Sequence, residues 1–344
     1  MLRLSILDQS PIAEGFSASQ ALENSLDLAR TADHLGYHRY WVAEHHGTPA
    51  LACTSPEILI GAIAAATKRM RVGSGGVMLP HYSPLKVAEV FSMLSGLHPG
   101  RIDLGIGRAA GTGARVTFAL QRDRRQGPPD DFRQQLEELL AYVGYVDSTG
   151  LGLPVAPEVF HFDRTDPYLL GSSPQSAIWA AELGLPYVFA DFIQSEGASI
   201  AEIYRDRFEP SRTLDTPQTA VALWAICADT DEEAHRLSLS SRMMLTLLNR
   251  GRLIAVPSPE TAERFLAHDD LPTNLLLPKR RLITGTARKV RQSIEEAARE
   301  YQAEEVFVVN ILYDHQARRR SYELLAAEFD LPGAPVHASA SLQN

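Results

Sequence analysis

The chain has 344 residues, 45% hydrophobic and 22% charged, with a formal net charge of −9 at pH 7. This composition predicts a folded domain with a large core, and the acidic balance argues against nucleic acid as the main partner. Two distant cysteines, Cys53 and Cys227, offer neither a disulfide framework nor metal-ligand spacing; Asp8 and Glu14 interrupt the first apolar run, and no stretch approaches the ~20 apolar residues of a membrane span, so a cytoplasmic protein with no membrane contact is expected.

"LRLSILD" (2–8) reads as a first strand, and residues 19–35 carry helical spacing at Ala21, Leu22, Leu26, Leu28 and Leu35. "RYWVAEH" (39–45) is a second strand. "SPEILIGAIAAATKRM" (55–70) is a helix with Thr54 or Ser55 as its N-cap and Pro56 in its first turn. "RVGSGGVML" (71–79) is strand three, followed by a helix over 84–97, and "RIDLGIG" (101–107) is strand four. The polar run with Arg122, Arg124 and Arg125 reads as a solvated loop before a helix near 131–145. Strands five and six fall at 167–171 and 186–192, separated by a helix at 174–184; a helix at 197–208, strand seven at 219–229 and a helix at 231–249 follow. Residues 250–284, with Pro257, Pro259, Pro272 and Pro278, form an insertion after strand seven, placed to act as a lid. A helix at 287–302, strand eight at 305–312 and a helix at 315–328 complete the pattern. Strands joined through helices pair in parallel, and eight such units predict a single α/β domain over 1–330, a (β/α)₈ TIM barrel, with 331–344 as a tail. The competing architecture is a doubly wound Rossmann sheet.

Strand four decides between them. Ile102, Leu104 and Ile106 share one face, while Asp103, Gly105 and Gly107 share the other. Strand three repeats the glycine face with Gly73, Ser74, Gly75 and Gly76. Two neighbouring strands without side chains predict a flat slot for a planar ring. A Rossmann fingerprint fits less well. The glycines Gly105, Gly107 and Gly111 follow G-x-G-x-x-x-G, and the acids Asp123, Asp130 and Asp131 lie in a loop rather than at the end of a second strand.

Arg108 ends strand four, where its planar fork could hold a phosphate or simply pair with a surface carboxylate. The next strand runs into "GSSPQSA", in which Ser172 and Ser173 precede Pro174 and Ser176 lies in the first helical turn. Free N–H groups, hydroxyls and the positive end of the helix together favour an anion. "AEHH" (43–46) ends strand two on the same side, and a histidine there can move protons or serve as a hydrogen-bonded structural group. His81, His98 and His161 gain no comparable support. The helix at 55–70 is apolar on nearly every face, which predicts burial beneath another segment or against a second copy of the chain.

Taken together, "WVAEHH", "RVGSGGVMLPHYSPLKVAE", "PGRIDLGIGRAAGT", "GSSPQSA" and "LGLPYVFADF" resemble the bacterial luciferase-like flavin-dependent monooxygenase family, in its single-chain form associated with secondary metabolism. The resemblance spans almost the whole chain. It implies a monooxygenase that uses reduced FMN and O₂ through a C4a-peroxyflavin to oxygenate a small organic substrate. The FMN phosphate would meet Arg108, Ser172, Ser173 and Ser176, and Ser74, Gly75 and Gly76 would lie against the ring, with a cis peptide at Gly75–Gly76. His45 matches the family's catalytic histidine and Glu44 its neighbouring acid. Light-emitting members carry a cysteine where Gly107 stands, which implies other chemistry than luminescence and more room over the flavin. A separate NAD(P)H:flavin reductase and a homodimer through helix 55–70 are also implied. A deazaflavin (F420)-dependent hydride transferase on the same barrel and a non-catalytic flavin-binding protein are the alternatives.

Overall fold

The computed structural model describes residues 2–109, 113–121, 130–154, 165–195, 197–268 and 282–333. Gly111, the arginines 122, 124 and 125, Asp123, His161, the middle of the 250–284 insertion and most of the tail lie outside those residues. Ten strands occur in chain order: β1 (Arg3–Asp8), β2 (Arg39–Val42), β3 (Arg71–Ser74), β4 (Val77–Met78), β5 (Ile102–Gly107), β6 (Asp166–Gly171), β7 (Tyr187–Ala190), β8 (Thr219–Ala228), β9 (Ile283–Thr286) and β10 (Glu305–Val309). All pair in parallel, in the order β10-β1-β2-β3-β5-β6-β7-β8. The ring closes where Glu305 of β10 meets Ala220 of β8 on one side and Arg3 of β1 on the other. The fold is the expected eight-stranded barrel rather than an open sheet.

Its helices are α1 (Ala18–Leu35), α2 (Pro56–Ala66), α3 (Pro84–Leu97), α4 (Ala114–Leu120), α5 (Phe132–Tyr142), α6 (Pro174–Glu182), α7 (Ala198–Asp206), α8 (Asp231–Asn249), α9 (Pro259–Ala267), α10 (Ala287–Tyr301) and α11 (His315–Glu328). Side-chain caps start several of them: the Ser17, Thr230 and Asp314 oxygens accept the backbone N–H groups of Gln20, Glu233 and Ala317. Such caps contribute about 1 kcal/mol each. α2 is shorter than its pattern predicts. Thr67 is extended, and the Asp33 carboxylate captures the N–H groups of Lys68, Arg69 and Met70 at 2.8–3.0 Å, so those donors no longer serve a helix.

Strand parity sorts the core into two layers. Ile102, Leu104 and Ile106 point outward with Val42, Val72 and Leu223 onto the helices. Leu7, Trp41, Val188, Ala220, Ala222, Trp224, Phe307 and Val309 fill the barrel. Burying each larger apolar side chain contributes roughly 1.5–3 kcal/mol. Below this layer the barrel is closed by charge. Arg39 Nη1 donates to Asp103 Oδ2 at 2.7 Å and its Nε to Glu305 Oε1 at 3.0 Å; Trp41 Nε1 donates to the same Asp103 oxygen at 2.9 Å. Burial disfavours the Arg39 charge, but Asp103 and Glu305 more than offset it and raise its pKa.

The inward glycines serve close packing more than the open slot that the sequence suggests. A Cβ on Gly73 would lie 2.6 Å from the Asp103 carbonyl oxygen and 2.9 Å from Trp41 Nε1, and one on Gly105 would overlap the Ser74 carbonyl oxygen. Farther along, a Cβ on Gly75 would strike Leu7, and one on Gly76 would come within 2.8 Å of the Gly105 oxygen. Gly75–Gly76 is a cis peptide, and it divides the expected strand 71–79 into β3 and β4. Past Val42, Ala43 N makes the last ladder bond to Asp8 O, and His45 N turns away to Cys53 O.

The insertion after β8 is better ordered at both flanks than its prolines suggest. Val256 is fully buried and bonds Ile12 and Glu14, α9 packs on α8, and β9 adds alongside the end of β8.

The glycine contacts predict opposite outcomes for two similar changes. Gly105→Ala meets fixed backbone and should lower stability by about 1–3 kcal/mol or more in urea unfolding. Gly107→Ala meets only the flexible Met78 sulfur at 3.3 Å and should leave the midpoint nearly unchanged.

Candidate active site

Function in a (β/α)₈ barrel is assembled from loops beyond the C-terminal ends of the strands. A cavity of about 820 Å³ opens at the opposite end, beside Arg3, Gln218 and Glu304, and holds none of the chemistry-bearing motifs. At the C-terminal end, Trp41 and Ala43 belong to the cluster inside the barrel, and His45 follows two residues later. The His45 N–H donates to Cys53 O at 2.9 Å, while its ring Nδ1 is buried with no hydrogen-bond partner among the described residues. Burial, reinforced by the adjacent His46, lowers its pKa to about 4. The imidazole is therefore neutral at pH 7.

Glu44 has the opposite parity and a different environment. It is completely buried, and both carboxylate oxygens are occupied. Oε1 accepts from Tyr82 OH at 2.8 Å and lies 2.7 Å from His46 Nε2; Oε2 accepts from Met78 N at 2.9 Å. Burial and the nearby carboxylate raise the Tyr82 pKa and keep it a donor. The His46 and His81 rings meet edge-to-face at 5.7 Å. Glu44 thus fastens the end of β2 to the segment that follows Gly75–Gly76. Its contacts are those of a brace.

On the adjacent side, Gly107 of β5 pairs with Leu170 of β6, so Arg108 and Ser172 emerge from neighbouring strands. Arg108 is exposed, and its guanidinium lies 5.4 Å from the centroid of the Trp179 ring on α6. Ser173 is the N-cap of that helix and forms a capping box with Ser176. Ser172 is half-buried and its hydroxyl makes no hydrogen bond among the described residues. Ser176 is placed differently from Ser172. Its hydroxyl donates to Ser173 O at 2.7 Å and meets Tyr187 OH at 2.9 Å, so it is engaged inside the helix start rather than turned outward. Ser74 is likewise internal, donating to Gly105 O at 2.8 Å.

The structure therefore sets Arg108 and Ser172 just beyond neighbouring strand ends, with Ser173 at the start of α6 and the Arg108 guanidinium over Trp179, and places Gly75, Gly76 and Gly107 on the neighbouring strand ends. His45 lies on β2 at the same mouth. Sequence reasoning missed Tyr82 and Met78, the partners of Glu44, and Trp179, the platform under Arg108. Tyr82 stood within a quoted motif, but only the fold shows which carboxylate it meets.

The description "Luciferase-like monooxygenase" matches residues 2–305. The chain belongs to that family. A Bacillus subtilis relative named N-acetyl-S-alkylcysteine monooxygenase is 39% identical over 332 residues, covering 95% of this chain and 98% of its own. The crystal structure of apo-MsnO8 superposes with a TM-score of 0.89 at 39% identity, covering 96% of this chain and 99% of that one. At 21% identity, the FMN complex of the oxygenating constituent of 3,6-diketocamphane monooxygenase from Pseudomonas putida shares the fold with a TM-score of 0.71, covering 97% and 99%. An F420-dependent secondary alcohol dehydrogenase does so at 16% identity and 0.64, covering 97% and 99%. The fold alone thus accommodates both cofactors.

The buried neutral His45 carries a pH signature. Unfolded, it binds a proton below its ordinary value of 6.5; folded, only near 4. Between those values the unfolded chain holds more protons, so this group's contribution to stability is complete above pH 6.5 and is lost as pH falls toward 4. His45→Asn should flatten the fall in urea midpoint across that window, and the His45 NMR resonances should show no protonation between pH 6 and 8.

Proposed function

We propose that the chain is a flavin-dependent monooxygenase that takes up reduced FMN at the C-terminal mouth of the barrel. The observation that supports this reading most is the conjunction of Arg108 with the Ser172–Ser173 helix start on adjacent strands, on the same rim as the unpartnered nitrogen of His45. A guanidinium, the Ser172 hydroxyl and the positive end of a helix suit a phosphate dianion, with charge-assisted hydrogen bonds about twice as strong as neutral ones. Trp179 beneath Arg108 keeps the guanidinium near α6 while leaving its edges free for oxygen atoms. The Ser74–Gly75–Gly76 backbone, backed by Leu7 and Trp41, offers a firm flat surface for a ring.

Reduced FMN, when bound, supplies the electrons by which O₂ is activated for transfer of one oxygen atom to an organic substrate. The chain's own part is positioning, exclusion of water and proton handling. His45 Nδ1 can accept a proton, and negative charge brought beside it would raise its affinity for one toward neutrality. Glu44 acts as a positioning residue, holding His46, Tyr82 and Met78 around the cis peptide. A separate NAD(P)H:flavin reductase would deliver the reduced cofactor.

A homodimer completes the proposal. Ile58, Ala62 and Ala65 form an exposed stripe on α2, and Met93 and Leu97 form another on the neighbouring α3. Ile58 is 73% exposed and Leu97 69%, an apolar surface of the kind buried between subunits.

Titration with FMN and with F420 tests the cofactor directly: FMN should bind and F420 should not, and the reverse result would move the chain to hydride transfer. Arg108→Gln should weaken FMN about tenfold or more without changing the melting temperature, since the side chain is exposed. His45→Asn should keep FMN affinity within about twofold while oxygen-dependent product formation falls by about 10² or more; full turnover in that variant would remove His45 from the chemistry. Ile58→Glu should shift the sedimentation coefficient from dimer to monomer.

A further inference from the structure

Many buried amphipathic side chains in this barrel find a partner. Trp41 Nε1 donates to Asp103, Tyr40 OH to Asp8 at 2.6 Å, and Tyr187 OH meets Ser176. Several buried groups among the described residues find none, and two of them share one sector of the C-terminal mouth. Trp224 on β8 is 5% exposed, and its indole N–H has no acceptor among the described residues; Gln9, just beyond β1, is 4% exposed, and its side-chain amide nitrogen has none either. A buried N–H left unpaired costs about 1–3 kcal/mol, which a phenylalanine at 224 would avoid.

The register places the two groups on one sector of the barrel. Trp224 pairs with Val309 of β10, and Ile6 of β1 pairs with Val308 of the same strand, so Leu7 stands level with Val309 and Gln9 one inward step above. Both therefore flank β10, away from the strands β5 and β6 that carry Arg108 and Ser172. The surroundings are apolar: Leu7, Leu51, Met244, Val256 and Ile311 belong to the same cluster as Trp224. Backbone bonds from Ala52 to Ser10 and from Val256 to Ile12, at 2.9 and 2.8 Å, hold the loops around it.

We propose that Trp224 and Gln9 form a donor pair that receives an uncharged carbonyl oxygen of the organic substrate, with the substrate's apolar body against Leu51, Met244 and Ile311. An indole N–H and an amide N–H can only donate, so the bound atom is an acceptor. Both donors are neutral, which matches a ketone, aldehyde, ester or amide. The assignment to substrate rests on the proposed function, which sets the flavin along β3, β5 and β6. The flavin ring has carbonyl oxygens of its own, and the test separates the two sources.

Calorimetric binding of methyl ketones and alkanes of matched carbon skeleton, together with cyclohexanone and cyclohexane, reads the pair directly in the full-length protein, with and without FMN. Each ketone should bind roughly tenfold more tightly than its alkane. Trp224→Phe and Gln9→Met should each remove most of that preference and leave FMN affinity within about twofold of the parent. Equal affinities, binding of neither probe, or a preference that survives both substitutions overturns the proposal. So does a loss of FMN affinity in either variant, which would give the donors to the flavin. Failure of the parent protein to bind FMN overturns the flavin reading alone, because the ketone and alkane comparison is also made without it. Circular dichroism checks folding, and if Trp224→Phe does not fold, Gln9→Met decides the outcome.

Discussion

The close approach of β3 and β5 governs much of what the mouth of this barrel can do. Gly73 and Gly105 let Ser74 and Asp103 backbone atoms sit where side chains would otherwise stand. That leaves room inside for Trp41, which reaches across to Asp103 and covers the charged floor. The same approach brings the Gly75–Gly76 segment against β5, with Leu7 and Trp41 behind it. A surface made from backbone and supported by a packed core is flat and stiff, because interiors at crystal-like density do not yield.

Charge at the two ends of the barrel is handled differently. At the N-terminal end, Arg39, Arg71, Asp103 and Glu305 satisfy one another, and removing one partner from such a group typically costs 3–5 kcal/mol. Near the C-terminal end, Asp8 is held by Arg318 and Tyr40: burial alone would raise its pKa, but Arg318 and the hydroxyls hold it below the usual carboxylate range. Glu44 is similarly saturated. Among the unpaired buried atoms of the described residues there are His45 Nδ1, the Trp224 indole and the Gln9 amide. Buried polar atoms without partners among the described residues also occur elsewhere, at His38 and Thr219 for example, but these three lie toward the end where ligands enter a barrel of this kind.

Much of this was legible in the chain. Period-two alternation in strand four identified the outward face, Ile102, Leu104 and Ile106, and helical spacing located α8 and α11 to the residue, because these segments are long and strongly patterned. The short strand β9, the helices α4 and α9 and the break at Gly75–Gly76 were not legible. Each depends on partners remote in sequence: β9 on the end of β8, and β4 on β5. Ser176 shows the limit most clearly. Its position in "GSSPQSA" suggested a ligand contact, but Tyr187, eleven residues later, takes its hydroxyl.

The sequence by itself determined the barrel, its parity, the anion-favouring start of α6 and the family, since these follow from local periodicity, capping chemistry and motifs read in order. Only the tertiary structure decided that Glu44 meets His46, Tyr82 and Met78, that Gly73 and Gly105 admit close backbone, and that the buried nitrogens of Trp224 and Gln9 lack partners among the described residues. Hydrogen-bond saturation and steric contact are properties of groups brought together by closing a ring of strands, and no window along the chain contains them.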